Sequence, residues 1–337
     1  MFDTVPLAQV ARGSQLEVIY RGAIAVVNTH GELVASAGDP NLTTFLRSSA
    51  KPFQLLPLVE SGGADRFGFS ERELAVMAAS HNGEEFHVEA VTGILQRLGL
   101  DVNALQCGTH APAYAPAARA LEDAGQQPNA LHNNCSGKHS GMLAQCLDRK
   151  LSIESYLDPQ HTVQITIQQT LAELAGILPD SIELATDGCS VPTFAIPLTA
   201  SARAFAQLAD PSQWSEPRRS ALHRVASAMM AYPEMVGGTQ RLDTDVMRAG
   251  KGRFVVKGGA EGYYGMGILP LGLGVALKLE DGDAGRGRNA VVIEVLRQLG
   301  ALDDDGLAAL QRYAAGPFKN HRGLTVGQVQ PCFDLTH

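Results

Sequence analysis

Arg47-Ser48-Ser49-Ala50-Lys51-Pro52-Phe53-Gln54 sets a serine and a lysine three positions apart at what reads as the start of a helix over about 49–60. On a helix, residues i and i+3 share a face, so the Ser48 hydroxyl and the Lys51 amine can meet. A serine hydroxyl is a weak nucleophile at neutral pH and needs a base. Lysine is that base only when burial or nearby positive charge draws its pKa down from about 10.4. Arg47 and the helix N-terminus both act in that direction. Taken alone, the spacing equally describes a capping serine beside a solvated lysine.

Two later stretches change that balance. Ala78-Ala79-Ser80-His81-Asn82-Gly83 closes a helix that opens with Ser70-Glu71-Arg72-Glu73, a capping box. It places a hydroxyl and an amide where a helix stops. Phe254-Val255-Val256-Lys257-Gly258-Gly259-Ala260-Glu261-Gly262 is an apolar strand that delivers a lysine and then two glycines. Glycines beside a strand let another backbone or a substrate approach closely. In order, S-x-x-K, S-x-N and K-x-G resemble the motif set of the serine β-lactamases and penicillin-binding proteins. Here the set is Ser48-Lys51, Ser80-Asn82 and Lys257-Gly259.

The surrounding pattern fits that reading. Ala23 to Asn28, Thr29-His30-Gly31 and Glu32 to Ser36 read as a β-hairpin. Strand-like sequence covers about 14–45 and 250–300, although Asn289 to Leu299 has helical spacing and ends at Gly300. Between them, about 48–245 reads as largely helical, with candidates at 160–175 and 218–231 and a short strand at 182–186. The expectation is an α/β fold of the serine β-lactamase and penicillin-binding-protein kind. An antiparallel sheet is built from both termini around a helical insertion, with residues 1–337 forming a single catalytic unit.

Cys135 lies in Asn133-Asn134-Cys135-Ser136-Gly137-Lys138-His139-Ser140-Gly141 and Cys189 in Thr186-Asp187-Gly188-Cys189-Ser190. Converging on a soft metal such as zinc, standing as two buried thiols, or forming a disulfide are all open to this pair. His139 is the conventional nitrogen ligand nearby. Lys138 is an unusual one, because it must first lose a proton. Cys107, Cys146 and Cys332 have no partner pattern and read as structural. The polar loop Gly237 to Thr244 either binds a charged substrate end or caps the next helix.

Composition excludes several classes. With 35 acidic and 27 basic side chains the net charge is -8, which argues against nucleic acid as a partner and favours a small molecule. The longest apolar stretch, Gly267 to Leu277, falls short of the roughly 20 residues of a membrane span. Five cysteines, with no basic and apolar leader at the N-terminus, point to reduced thiols and a cytoplasmic location.

The stretches Arg47 to Gln54, Asn134-Cys135-Ser136-Gly137-Lys138-His139, Asp187-Gly188-Cys189 and Lys257 to Gly262 together resemble the rhizobial-type, class 3 L-asparaginases, the asparaginase II family, over about residues 10–330. The resemblance implies a homodimer that hydrolyses L-asparagine to L-aspartate and ammonia. It implies two serine–lysine pairs, Ser48 with Lys51 and Ser80 with Lys257. It implies zinc on Cys135, Lys138 and Cys189, aiding substrate binding rather than the chemical step. Arg47, His81, Asn82, Asp187, Gly258 and Gly259 are expected around the substrate. Two rivals share some of these features. A β-lactamase or peptidase shares the three motifs, and a zinc or thiol sensor would use the cysteines but leave the serine–lysine pairs without a purpose.

Overall fold

Strands from both ends of the chain meet in one sheet. In the computed structural model, which describes residues 3–336, β1 (Val5–Arg12), β2 (Gln15–Asn28) and β3 (Leu33–Ala37) come from the start of the chain. After β4 (Thr43–Phe45), β5 (Glu183–Thr186) and β6 (Pro192–Pro197), the late part of the chain adds β7 (Phe254–Gly258), β8 (Tyr263–Ile268), β9 (Leu273–Leu279), β10 (Gly316–Lys319) and β11 (Thr325–Pro331). The main sheet runs β10-β11-β1-β2-β9-β8-β7, with β3 beside β2, and every pairing in it is antiparallel. The expected α/β architecture is therefore present.

Its boundaries differ from the expectation in three places. The sheet includes β1, β10 and β11, outside the ranges 14–45 and 250–300. Strands β10 and β11 are half-exposed and rich in Gly, Pro and Gln, so they carry no alternating apolar signal. Strand β4 leaves the main sheet and joins a three-stranded sheet, β4-β6-β5, in which β5 is the short strand expected at 182–186 and β6 falls in the region read as helical. Strands β1 and β2 slip register between Val10 and Ala11, where Glu17 is the extra residue between Leu16 and Val18. Such a bulge turns side chains off their expected face, and both Leu16 and Ile19 are exposed.

Helices cover both faces of the sheet. The helix Leu198–Ala209 lies on β2, β8 and β9. It comes so close that a side chain on Gly274 would strike the Ala202 carbonyl, and one on Gly265 the Phe205 ring. Side chains alternate between faces along a strand, so Tyr264, next to Gly265, points the other way. There it meets Arg288 of the helix Arg286–Gln298. Phe53 of the helix Lys51–Glu60 packs edge-on against Phe205, 5.1 Å between centroids. Residues 51–59 of that helix are all buried, which fixes Lys51 between the sheet and the remaining helices. Among the described residues, no helix is long and apolar enough to cross a membrane.

Candidate active site

Four segments distant in sequence line one cavity of about 400 Å³: Ser48, then Ser80, then Asn134, then Gly258, Gly259 and Ala260, with Arg241, Asp243 and Arg288 completing its charged walls. A larger groove of about 610 Å³ lies beside the helix Glu85–Arg97 and holds none of Ser48, Lys51, Ser80 or Lys257.

Ser48 sits in a 3-10 turn, Arg47–Ala50, that precedes the helix Lys51–Glu60. Arg47 opens the turn at φ 51, a left-handed conformation unusual for a side chain of this size. Such strain costs of order 1–3 kcal/mol and collects at functional sites. Arg47 is held there by its Nε, which donates to Asp187 Oδ1 at 2.6 Å. Gly259 explains how the late strand reaches this turn. A side chain on it would stand 2.6 Å from the Leu46 carbonyl, so only glycine lets the loop after β7 lie against the turn carrying Ser48.

Lys51 is buried. Its Nζ lies 2.6 Å from the Ala79 carbonyl, 2.7 Å from Ser80 Oγ and 3.4 Å from the Asn134 carbonyl. The hydrogen bonds of Lys51 thus go to the second motif and not to Ser48, as the spacing alone had suggested. A 3-10 turn keeps i and i+3 on one side, so what takes the Lys51 amine elsewhere is its set of acceptors at Ala79, Ser80 and Asn134. Burial draws the Lys51 pKa down; the Cys135 and Cys189 thiols oppose this, and the Lys138 charge adds to it.

Lys257 is also buried and also finds a partner other than the expected Ser80. Its Nζ donates to Asp243 Oδ2 at 3.1 Å and to the Gly258 carbonyl at 2.8 Å. Gly258 N–H donates to the same carboxylate oxygen at 3.0 Å. Burial lowers the Lys257 pKa to about 8, with Asp243 pulling against it. The Asp243 carboxyl, despite burial, is held down at about 2 by the Lys257 charge.

His81 and Asn82 are placed differently from the expectation. His81 Nδ1 accepts from Gly83 N–H at 3.1 Å, which leaves Nε2–H to meet Ser136 Oγ at 2.9 Å. The ring is fully buried and its pKa lies well below the usual value, chiefly through burial. Asn82 donates to the Thr239 carbonyl at 3.0 Å and accepts from Arg241 at 3.3 Å. Both side chains brace the wall of the cavity, and neither lines it.

Beside Lys51 lies the cysteine cluster. One ligand atom each from Cys135, Asp187 and Cys189 fall within 4.8 Å of one another. The Cys135 thiol is drawn well below its usual pKa, first by a hydrogen bond from Cys189, against burial, and then by the Lys51 and Lys138 charges. Cys189, which gives that hydrogen bond, moves up. Lys138 Nζ donates to Cys189 Sγ at 2.7 Å. Burial opposes its charge, but the two thiols and Asp187 outweigh burial and raise its pKa. Two sulfurs and a carboxylate in a buried cluster suit a soft or borderline divalent metal. His139 does not join them: its Nδ1 is 2.7 Å from the Tyr156 hydroxyl. Cys135 and Cys189 are free thiols, as are Cys107, Cys146 and the exposed Cys332. Burial pushes Cys107 and Cys146 up to about 11, which leaves them inert at neutral pH.

Sequence reasoning missed Asp243 and Arg288. The first lies in the stretch Gly237 to Thr244 whose role was left open and proves to sit in the helix Leu242–Gly250, and the second falls just before the helix expected over Asn289 to Leu299. No spacing rule connects either to Lys257 or Ser48.

A family profile described as L-asparaginase II matches residues 8–331. No curated protein compared with the chain matches it. Among solved structures, Mglu superposes with a TM-score of 0.44 at 16% identity, covering 83% of this chain and 67% of that one. In another Mglu structure, bound to Tris and glutamate, the chain spans 59% of the neighbour's length. A β-lactamase from Mycobacterium bovis gives 0.41 at 14% identity, covering 87% and 95% of the two chains.

Proposed function

The chain belongs to the L-asparaginase II family, and on that premise we propose that it hydrolyses the side-chain amide of L-asparagine to L-aspartate and ammonia by serine–lysine chemistry. The observation that carries the proposal is Lys51, buried and hydrogen-bonded to Ser80 at 2.7 Å on a cavity that Ser48 also lines.

Ser48 is the nucleophile in this reading, because the strained turn presents it half-exposed to the cavity. Its hydroxyl attacks the amide carbon as Lys51, whose pKa burial lowers, takes the proton in its neutral form. Apo hydrogen bonds of this kind commonly tighten only with substrate in place. The C–N bond breaks, and the proton passes from Lys51 through the Ser80 hydroxyl to the leaving nitrogen, which departs as ammonia. Water then hydrolyses the ester and restores Ser48, splitting one difficult step into two. Lys257, tied to Asp243, holds the Gly258-Gly259 turn and keeps a positive charge beside this relay.

Cys135, Asp187 and Cys189 are the seat of a zinc ion in this reading, and Lys138 offers a nitrogen only after losing the proton it donates to Cys189. Bound there, zinc supplies a fixed positive charge next to Arg47 and Lys51 that favours binding of a polar substrate. The functional unit we propose is a homodimer, read by sedimentation.

Ammonia release from asparagine tests the chemistry. Ser48→Ala and Lys51→Ala each lower turnover by roughly a thousandfold or more. Near-normal turnover in Ser48→Ala with none in Ser80→Ala would move the nucleophile to Ser80. A wild-type protein that releases no ammonia from asparagine removes the reading altogether.

A further inference from the structure

Arg288 belongs to the helix Arg286–Gln298 and to none of the sequence motifs. The fold nonetheless carries its side chain into the wall of the cavity that holds Ser48, Ser80 and Gly259. It is only 9% exposed, and its guanidinium lies over the Tyr264 ring, 5.5 Å from the centroid.

Its hydrogen bonds are few and long. Nη1 donates to the Gly259 carbonyl at 3.4 Å and Nη2 to Asn289 Oδ1 at 3.3 Å, while the buried Nε has no partner. No carboxylate forms an ion pair with it among the described residues. The acid with the largest influence on it, Asp243, is already bound to Lys257 at 3.1 Å. A buried charge is normally paired, because desolvating it unpaired is expensive. A guanidinium stacked on an aromatic ring, with donors left over, matches the planar fork of a carboxylate.

The walls agree with that. Their charged side chains are Arg241, Asp243 and Arg288. With Asp243 neutralised by Lys257, the cavity keeps a surplus of positive charge, which suits an anion. Arg47, the arginine that the sequence put near the substrate, already has its Nε on Asp187 at 2.6 Å.

We propose that Arg288 receives the α-carboxylate of the amino-acid substrate, making it a substrate-binding and specificity-determining residue. This rests on the amidohydrolase reading, in which the substrate has one anionic group remote from the reacting amide. The pair forms in the ground state and persists through the reaction, so it acts on KM more than on kcat. An amide lacking the carboxylate would leave the buried guanidinium unpaired, and the site would discriminate against it.

The experiment compares L-asparagine with 3-aminopropanamide, the same chain without its α-carboxylate, in wild type, Arg288→Met and Arg288→Lys. Calorimetry of L-aspartate and β-alanine runs beside it as a measure independent of turnover. The expected result for Arg288→Met is a KM for asparagine raised about tenfold to a hundredfold, with kcat within about threefold of wild type. Kinetics on 3-aminopropanamide stay unchanged. L-aspartate binding weakens by the same factor while β-alanine binding does not move. Arg288→Lys, which keeps the charge, falls between the two.

A residue that merely braces the Gly258-Gly259 turn would instead depress kcat on both amides alike, and that outcome overturns the proposal. So does asparagine turnover that is indifferent to either substitution. Wild type that binds L-aspartate through Arg288 but hydrolyses no asparagine leaves Arg288 in place and removes the asparaginase reading. Wild type that does neither removes both.

Discussion

Lys257 keeps its charge at neutral pH in surroundings that work against it. Burial alone would discharge the amine, and Asp243 alone would raise its pKa; the balance is about 8, against an ordinary 10.5. Asp243 goes to about 2 from 3.8. The ion pair therefore exists between about pH 2 and pH 8. Between about pH 8 and 10.5 the unfolded chain holds a proton that folded Lys257 has shed, so this group makes stability rise with pH there, by about 3 kcal/mol at 1.36 kcal/mol per unit. Asp243 acts in the same sense at the acid end: its contribution is complete above about 3.8 and is lost as pH falls towards about 2. Urea midpoints of wild type and Lys257→Met, measured from pH 3 to 10, check both arms. The variant lacks the alkaline rise, and its acid loss is smaller, because without its cation buried Asp243 no longer sits below its unfolded pKa to the same extent. An alkaline rise of the same size in both proteins would show that Lys257 is not its source. Lys257 was legible from its strand and its two glycines. Asp243 was not, because a buried partner 14 positions away leaves no periodic trace in sequence.

At the scale of elements, glycine marks where helices touch. The helix Ser136–Asp148 starts against the end of the helix Glu71–Met77, and a side chain on Gly137 would strike the Val76 carbonyl. That contact places Lys138 and Cys135 beside the Ala79-Ser80 turn. Gly93, inside the helix Glu85–Arg97, has only Glu73 Oε1 near, at 3.9 Å. The same substitution should therefore act in opposite directions. Gly93→Ala raises stability by about 0.5–1 kcal/mol, the usual helical difference between the two residues. Gly137→Ala lowers it by about 1–3 kcal/mol through overpacking and reduces activity as well, because the helix must retreat from the site. Thermal melts of the two variants decide; equal shifts would mean that the helix contact at Gly137 yields freely. Elements with local chemical punctuation were the ones sequence could locate. The capping box at Ser70 and Glu73 is formed, the hairpin pairs Ile24 with Ala37 and Val26 with Ala35, and Gly176 ends its helix left-handed. Strands β10 and β11 lack such punctuation, and what makes them strands is their pairing with each other and with β1.

For the whole molecule, the antiparallel sheet closes the chain so that its late strand β7 reaches the turn after β4. Lysines 206 positions apart come close enough for the Lys51 charge to act on Lys257, both buried near a cavity lined by Ser48, Ser80 and Gly258. The order of the motifs announced this convergence; the cysteine cluster behind it was visible only as three options. Asp187 joins Cys135 and Cys189 in a cluster that could hold a metal, while His139 stands apart on Tyr156. That seat and the reaction centre share Lys51, which the two thiols and Lys138 influence in opposite directions, so metal and substrate are expected to report on each other. Zinc added to metal-free protein should stabilise it by mass action, about 2.7 kcal/mol at a hundredfold excess over the dissociation constant. The thermal midpoint should rise in wild type and stay put in Cys189→Ser. Chelation should then raise KM for asparagine while kcat holds within about threefold, because the proposed metal site helps binding rather than bond cleavage. If chelation instead abolished kcat at saturating substrate, the serine–lysine pairs would lose their place at the centre of the reaction. If the midpoint ignored zinc, the cluster would be a pair of buried thiols beside a carboxylate, and the positive charge near Arg47 would come from Lys138 alone.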